Sequence, residues 1–282
     1  MHIAPHDNQN QPIVDVNDAH VPLVYFNIVN LKQGEAFEYR VPGYETCIVP
    51  ATGTVDVDVE GVRFDALGGR GVDVWDGEPQ GVYVPVGTSA TMVCTSDAAE
   101  VFVAGAKFDK VLTPFDVREH DRVQYGSDDT KTHRKIKHIL GQKQRDRVGR
   151  LLVSELYTVG AGGWSGFPSH KHDTDRSAGG TMQETHHDEC YNFRFRPDYG
   201  SGLQMLQRVD NEPGDAYHIV NGSTVLIDKG YHPCCVLPGY EMYYFTILGG
   251  ASQRSLVQYF QPTHAGQIET IPGIKDMIAK FK

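Results

Sequence analysis

The sequence predicts an all-β protein built as two double-stranded β-helix (jelly-roll) barrels with few helices. Three observations predict it. Short strand patterns run at near-regular spacing through both halves, each bounded by Gly, Pro or Asp. A glycine-anchored segment of the first half, 84-VPVGTS-89, is echoed in the second as 227-IDKGYH-232, which points to a duplicated unit. Two histidines one residue apart, in 164-WSGFPSHKHDTD-175, share one strand face and project side by side.

Residues 1–21 are polar and form an N-terminal arm without the apolar segment of a signal peptide. Residues 22–112 carry the first barrel. In 54-TVDVDVEGVRF-64, valines alternate with aspartates up to Glu60-Gly61, the pattern of a hairpin with one buried face. Strands follow at 72-VDVW-75, 82-VYVP-85, 90-ATMVC-94 and 101-VFVAGA-106. Residues 113–149 are polar, charged and poor in strand patterns, and read as a linker. The second barrel, 150–265, has strands at 151-LLVSELYTV-159, 189-ECYNFRF-195, 203-LQMLQRV-209, 224-TVLID-228 and 241-EMYYFTIL-248. Residues 266–282 end in a helix whose Ile274, Met277, Ile278 and Phe281 fall at i, i+3, i+4 and i+7; this stripe is expected to pack on its own barrel or a neighbouring subunit.

The formal net charge of −10, with no uninterrupted Lys/Arg run, argues against nucleic acid as a partner. It leaves room for a small anion, because one Arg or Lys inside a pocket overrides the surface charge. Five cysteines, Cys47, Cys94, Cys190, Cys234 and Cys235, show no CxxC spacing, which fits a reducing, cytoplasmic setting. No window approaches the ~20 apolar residues of a membrane span, so no membrane partner is expected.

His170 and His172 become a metal site only if other strands supply more donors. Glu189 opens the next strong strand, and His232 follows the turn 229-KGYHP-233. These four converge only if the sheet closes into a barrel. Three imidazoles and one carboxylate suit one divalent ion (Zn, Mn, Fe, Co or Ni) and leave coordination positions open for substrate. His186 and His187 lie nearby as competing donors, in a loop that reads as solvated. The first half has no HxH and carries Ser89 where the second carries His232, so its barrel is expected to hold no metal.

The chain resembles the 5-deoxy-glucuronate isomerases of myo-inositol catabolism, bicupins related to the 4-deoxy-5-ketouronate isomerases. The resemblance rests on 151-LLVSELYTVGAGGWSGFPSHKHD-173, 189-ECYNFRF-195, 207-QRV-209 and 230-GYHPCCVLPGYEMYYFTILGG-250, with 51-ATGTVDVDVEGVRFDALGGR-70 and 75-WDGEPQGVYVPVGTSATM-92 in the first half. It implies a bicupin whose metal ligands fall on His170, His172, Glu189 and His232. It also implies an aldose–ketose isomerase converting 5-deoxy-D-glucuronate to 5-dehydro-2-deoxy-D-gluconate. The chain departs from the family at Asn192, in 243-YYFTILGG-250 and in its terminal helix.

Such an isomerase needs a general base, for which Glu241, Tyr243 and Tyr231 are the candidates near His232. It also needs a cation for the sugar's carboxylate, for which Arg208, Arg254 and Arg194 are available; strand parity sets Arg194 opposite Glu189. Lys171 is expected to point away from the histidine pair. The expected partner is a small-molecule sugar acid, and the protein is expected to form a homo-oligomer. The alternatives are an isomerase of another acidic sugar such as a 4-deoxy-5-ketouronate, a cupin dioxygenase and a non-catalytic sugar-binding cupin.

Overall fold

The computed structural model describes residues 1–280. Each half is a pair of facing antiparallel sheets. In the first half a five-stranded sheet runs in the order Phe115–Val117, Gly81–Val84, Tyr44–Thr52, Ala98–Lys107, Val24–Lys32. In the second half a seven-stranded sheet repeats that core order as Thr224–Ile227, His187–Arg196, Glu241–Gly250, Leu151–Thr158. The glycine-anchored echo therefore marks matching strands, Gly81–Val84 and Thr224–Ile227. A four-stranded sheet closes each barrel. The all-β bicupin architecture is as expected.

The hairpin in the first half forms where the alternation places it. Val55, Val57 and Val59 are buried, and the turn residues Glu60 and Gly61 both take positive φ, the geometry that matches strand twist across a two-residue loop. The valines join Ile48, Val82, Val84, Met92, Val101 and Val103 in an apolar interior. Thr46, opposite Val84 in register, matches Glu189 opposite Ile227, and its hydroxyl meets that of Tyr39 at 2.8 Å.

The segment read as a linker is built into both barrels. Phe115–Val117 pairs with Gly81–Val84, whereas Asp121–Tyr125 and Arg134–Leu140 extend the seven-stranded sheet beside Leu151–Thr158. Its polar composition hid these strands, because Arg134 and His138 occupy buried positions that usually carry apolar residues. The N-terminal arm also adds a strand, His2–Ile3, along Thr224–Ile227. The terminal helix spans Ile274–Lys280, and its Ile274 and Met277 pack with Val123, Tyr125 and Ile136; Phe281, expected on the same stripe, lies outside the described residues.

The two large sheets pack against each other, so their central strands are buried on both faces. Along Glu241–Gly250, Tyr243, Phe245 and Ile247 enter the shared core, where Phe245 stacks 4.7 Å from Phe102. Tyr244, Thr246 and Leu248 turn into the second barrel. The shared core contains an ion pair: Arg70 Nη1 donates to Glu155 Oε1 at 2.6 Å and Nη2 to Oε2 at 2.9 Å, both side chains wholly buried. The hydroxyls of Tyr157 and Tyr243 complete the carboxylate's bonding at 2.8 and 3.0 Å. Glu155→Ala strands the guanidinium in this core and is expected to cost about 3–5 kcal/mol in urea unfolding.

Candidate metal centre

The HxH strand, His170–Lys171, pairs with Tyr259–Phe260 at the barrel mouth. Its two outward residues explain the HKHD pattern. Lys171 Nζ points away from the imidazoles, 2.5 Å from Asp173 Oδ1 and 3.2 Å from Glu184. Asp173 Oδ2 in turn accepts the Gly230 amide at 2.8 Å, fastening the HxH segment to the turn that carries His232. Burial works against the Asp173 carboxylate, but its bonds from Lys171, Thr174 and Gly230 outweigh it and hold its pKa at about 2. Gly230 has φ +100°, and a Cβ there would meet Gln207 O at 2.7 Å, so only glycine fits. The long gap between His172 and Glu189 is taken up by a hairpin, Arg176–Ala178 with Thr181–Glu184.

Donor atoms of His170, His172 and His232 lie within 4.8 Å of one another. Glu189 joins them, its Oε2 at 3.1 Å from His172 Nε2 and 3.2 Å from His232 Nε2. Each histidine presents its other nitrogen to a backbone carbonyl: Nδ1 of His170 to Pro168 at 3.4 Å, of His172 to His187 at 3.0 Å, of His232 to Gly230 at 2.8 Å. With a metal ion bound, a proton kept on Nδ1 would leave the Nε2 lone pair facing the centre, the tautomer a ligand needs. His232 Nε2 is buried and makes no well-aligned hydrogen bond among the described residues. The residues therefore fit a divalent ion.

The electrostatics agree. Burial would raise the Glu189 carboxyl, but hydrogen bonds and charge from His172 and His232 outweigh it and hold the pKa well below the usual carboxylate range. Burial pushes His170 far down, and its imidazole neighbours add to that. Burial also works against protonation of His172, but Glu189 overrides it and raises this pKa. The carboxylate is held ionised among the imidazoles.

A small cavity of about 50 Å³ opens on the cluster, lined by His170, His172, Glu189, Tyr191, Thr246 and Gln258, with Tyr125, Ile136, Tyr244 and Met277 among its other walls. Gln258 Nε2 lies 3.0 Å from His170 Nε2. Burial pushes the Tyr191 and Tyr244 hydroxyls well above their ordinary pKa, and the Glu189 charge adds to the shift at Tyr191. Tyr191 carries no sequence signal beyond strand parity with Glu189, and Gln258, outside the strands, carries none.

The other expected residues lie elsewhere. Glu241 pairs with Arg196 at 2.7 Å. Tyr243 is committed to Glu155 in the shared core. Tyr231 precedes His232 on an extended segment, is absent from the cavity lining and is pushed up to about 12 by burial. Arg208 binds Asp228, Arg194 binds Asp73 and Glu100, and Arg254 donates to the carbonyls of Leu151, Leu140 and Gly141. Strand alternation accounts for Tyr243 and Arg194, which sit on the face opposite Glu189. His187 is buried in its strand and not solvated as expected; its Nε2 faces Arg254 O at 3.1 Å. His186 is partly exposed beside Asp188 at 3.4 Å.

A model of the KduI/IolB family matches residues 2–267. A 5-deoxy-glucuronate isomerase of Geobacillus kaustophilus is 29% identical over 86% of this chain and 86% of its own length. One from Shouchella clausii is 30% identical over 84% of this chain and 85% of its own. Among solved structures, an IolB-like protein from Salmonella typhimurium superposes with a TM-score of 0.82 at 27% identity, covering 94% of this chain and 98% of that one. A Bacillus subtilis oxalate decarboxylase shares the fold alone, with a TM-score of 0.62 at 8% identity over 95% of this chain and 83% of its own.

Excess Mn²⁺ or Zn²⁺, at about 100 times its Kd, is expected to stabilise the protein by about 2.7 kcal/mol, a melting shift of roughly 5 °C or more. His232→Ala should abolish that shift in the same thermal melts.

Proposed function

The chain belongs to the KduI/IolB family, and from that premise we propose that it isomerises a sugar acid, 5-deoxy-D-glucuronate, to 5-dehydro-2-deoxy-D-gluconate. The observation that carries the reading is the convergence of His170, His172, Glu189 and His232 on one point of a nearly closed barrel. These four residues would hold one divalent ion. When bound, that ion supplies a Lewis acid beside which negative charge can develop on a sugar's neighbouring oxygens.

The chain's own residues supply orientation and exclusion of water. Thr246 Oγ1 reaches Glu189 Oε1 at 3.4 Å and steadies the carboxylate. Tyr244, on the cavity wall, holds its Oη 2.5 Å from Ser165 Oγ. The protonated Tyr191 hydroxyl and the Gln258 amide flank the space where the sugar's oxygens would lie, and both can donate hydrogen bonds to them. Leu248, Leu256 and Met277 make the rest of the wall apolar, which strengthens every polar contact made inside.

The cavity is large enough for roughly four waters, at ~10–15 Å³ each, and smaller than a sugar acid. Met277, on the short terminal helix, forms part of one wall.

Incubation of 5-deoxy-glucuronate with the metal-loaded protein in D₂O should show, by NMR, the ketose product with deuterium at the former aldehyde carbon. Oxygen consumption should be absent. Unchanged spectra for this and for other acidic deoxy-sugars would refute the isomerase reading, whereas oxygen uptake would favour a dioxygenase.

A further inference from the structure

The interior of the second barrel holds a charge that the metal cluster leaves unused. Arg134 is fully buried on the strand Arg134–Leu140. Its Nε, Nη1 and Nη2 have no hydrogen-bond partner among the described residues. The nearest recorded contact of its guanidinium is the ring of Tyr125, 5.2 Å from the ring centre. Other arginines in the interior differ: buried Arg70 is bidentate to Glu155, and half-buried Arg254 donates to three carbonyls.

A guanidinium carries five donors and does not deprotonate in proteins, so an uncompensated one inside a barrel is costly. Its position says what it waits for. Ile136, two residues along and on the same strand face, lines the cavity at the metal cluster, as does Tyr125 beneath the guanidinium. Arg134 itself is absent from the cavity's lining and stands one layer behind it, over Tyr125, as a cation without a hydrogen-bonding partner, while Glu189 stands in the cavity as an anion already claimed by imidazoles.

We propose that Arg134 receives the carboxylate of the sugar acid whose carbonyl end lies at the histidine cluster. This rests on the sugar-acid reading above and adds the residue that selects acidic over neutral sugars. The planar fork of the guanidinium matches a carboxylate through two parallel hydrogen bonds, and the dry surroundings strengthen both.

The test compares wild type, Arg134→Gln and Arg134→Lys, each metal-loaded, on 5-deoxy-glucuronate and on 5-deoxyglucose, which has CH₂OH in place of the carboxylate. Arg134→Gln should lower the acid-to-neutral ratio of kcat/KM on the order of 100-fold, with Arg134→Lys recovering part of it. Metal content should not change, and the melting temperature should hold or rise, because an unpaired buried cation has been removed. Equal loss on both sugars, or a melting temperature lowered by several degrees in Arg134→Gln, would make Arg134 structural and overturn the proposal. Melts with glucuronate against glucose separate this inference from the isomerase reading. Even if wild type turns over neither sugar, glucuronate should stabilise it and not Arg134→Gln. No glucuronate shift in wild type, or one kept by the variant, overturns the assignment of Arg134.

Discussion

Glu189 is an ionised carboxylate inside a barrel, and much of the second half is organised by what that charge requires. A buried carboxylate is tolerated only when positive or hydrogen-donating groups surround it. Here they come from separate segments: His172 from the mouth strand, His232 from the turn after Gly230, Thr246 from the neighbouring ladder. Each imidazole is fixed through Nδ1 by a backbone carbonyl, so the strand pairing itself determines where the donor nitrogens point. The Lys171–Asp173–Gly230 chain of contacts then locks two of those segments together from outside. Fold and site are one set of constraints.

The central sheets do two jobs because their strands have two faces. Odd positions of Glu241–Gly250 carry the cohesion of the two halves, and even positions carry the cavity. Tyr243 and Tyr244 illustrate the division: one bonds to Glu155 against the first barrel, the other meets Ser165 beside the metal cluster. Continuous burial on both faces also explains why this strand reads as an almost unbroken apolar run, where a one-sided strand would alternate.

Much of this was legible in the sequence. The strand spacing, the glycine-anchored echo and the HxH, Glu189 and His232 pattern are local signals, each with a fixed physical meaning. The general-base candidates lie near His232 along the chain, and nearness along an extended segment is misleading, since neighbours point to opposite sides. Tyr231 beside His232 and Tyr243 beside Tyr244 both show this. Arg134 was hidden for a different reason. In 134-RKIKHIL-140 a charged residue holds an inward position, so a segment that completes the barrel has the composition of a solvated connection. Pairing with Leu151–Thr158 is a long-range fact that no window of sequence contains.

The family's matched region stops at residue 267, yet Met277 reaches the cavity wall. The helix that carries it is attached through Tyr125, Ile136 and a few other apolar contacts, and through no strand pairing. A fusion at the C-terminus follows directly on the helix that supplies one wall of the cavity. Affinity handles, reporters or immobilisation chemistry placed there would load that wall, and those at exposed loop tips such as Gly179–Gly180 would leave it alone.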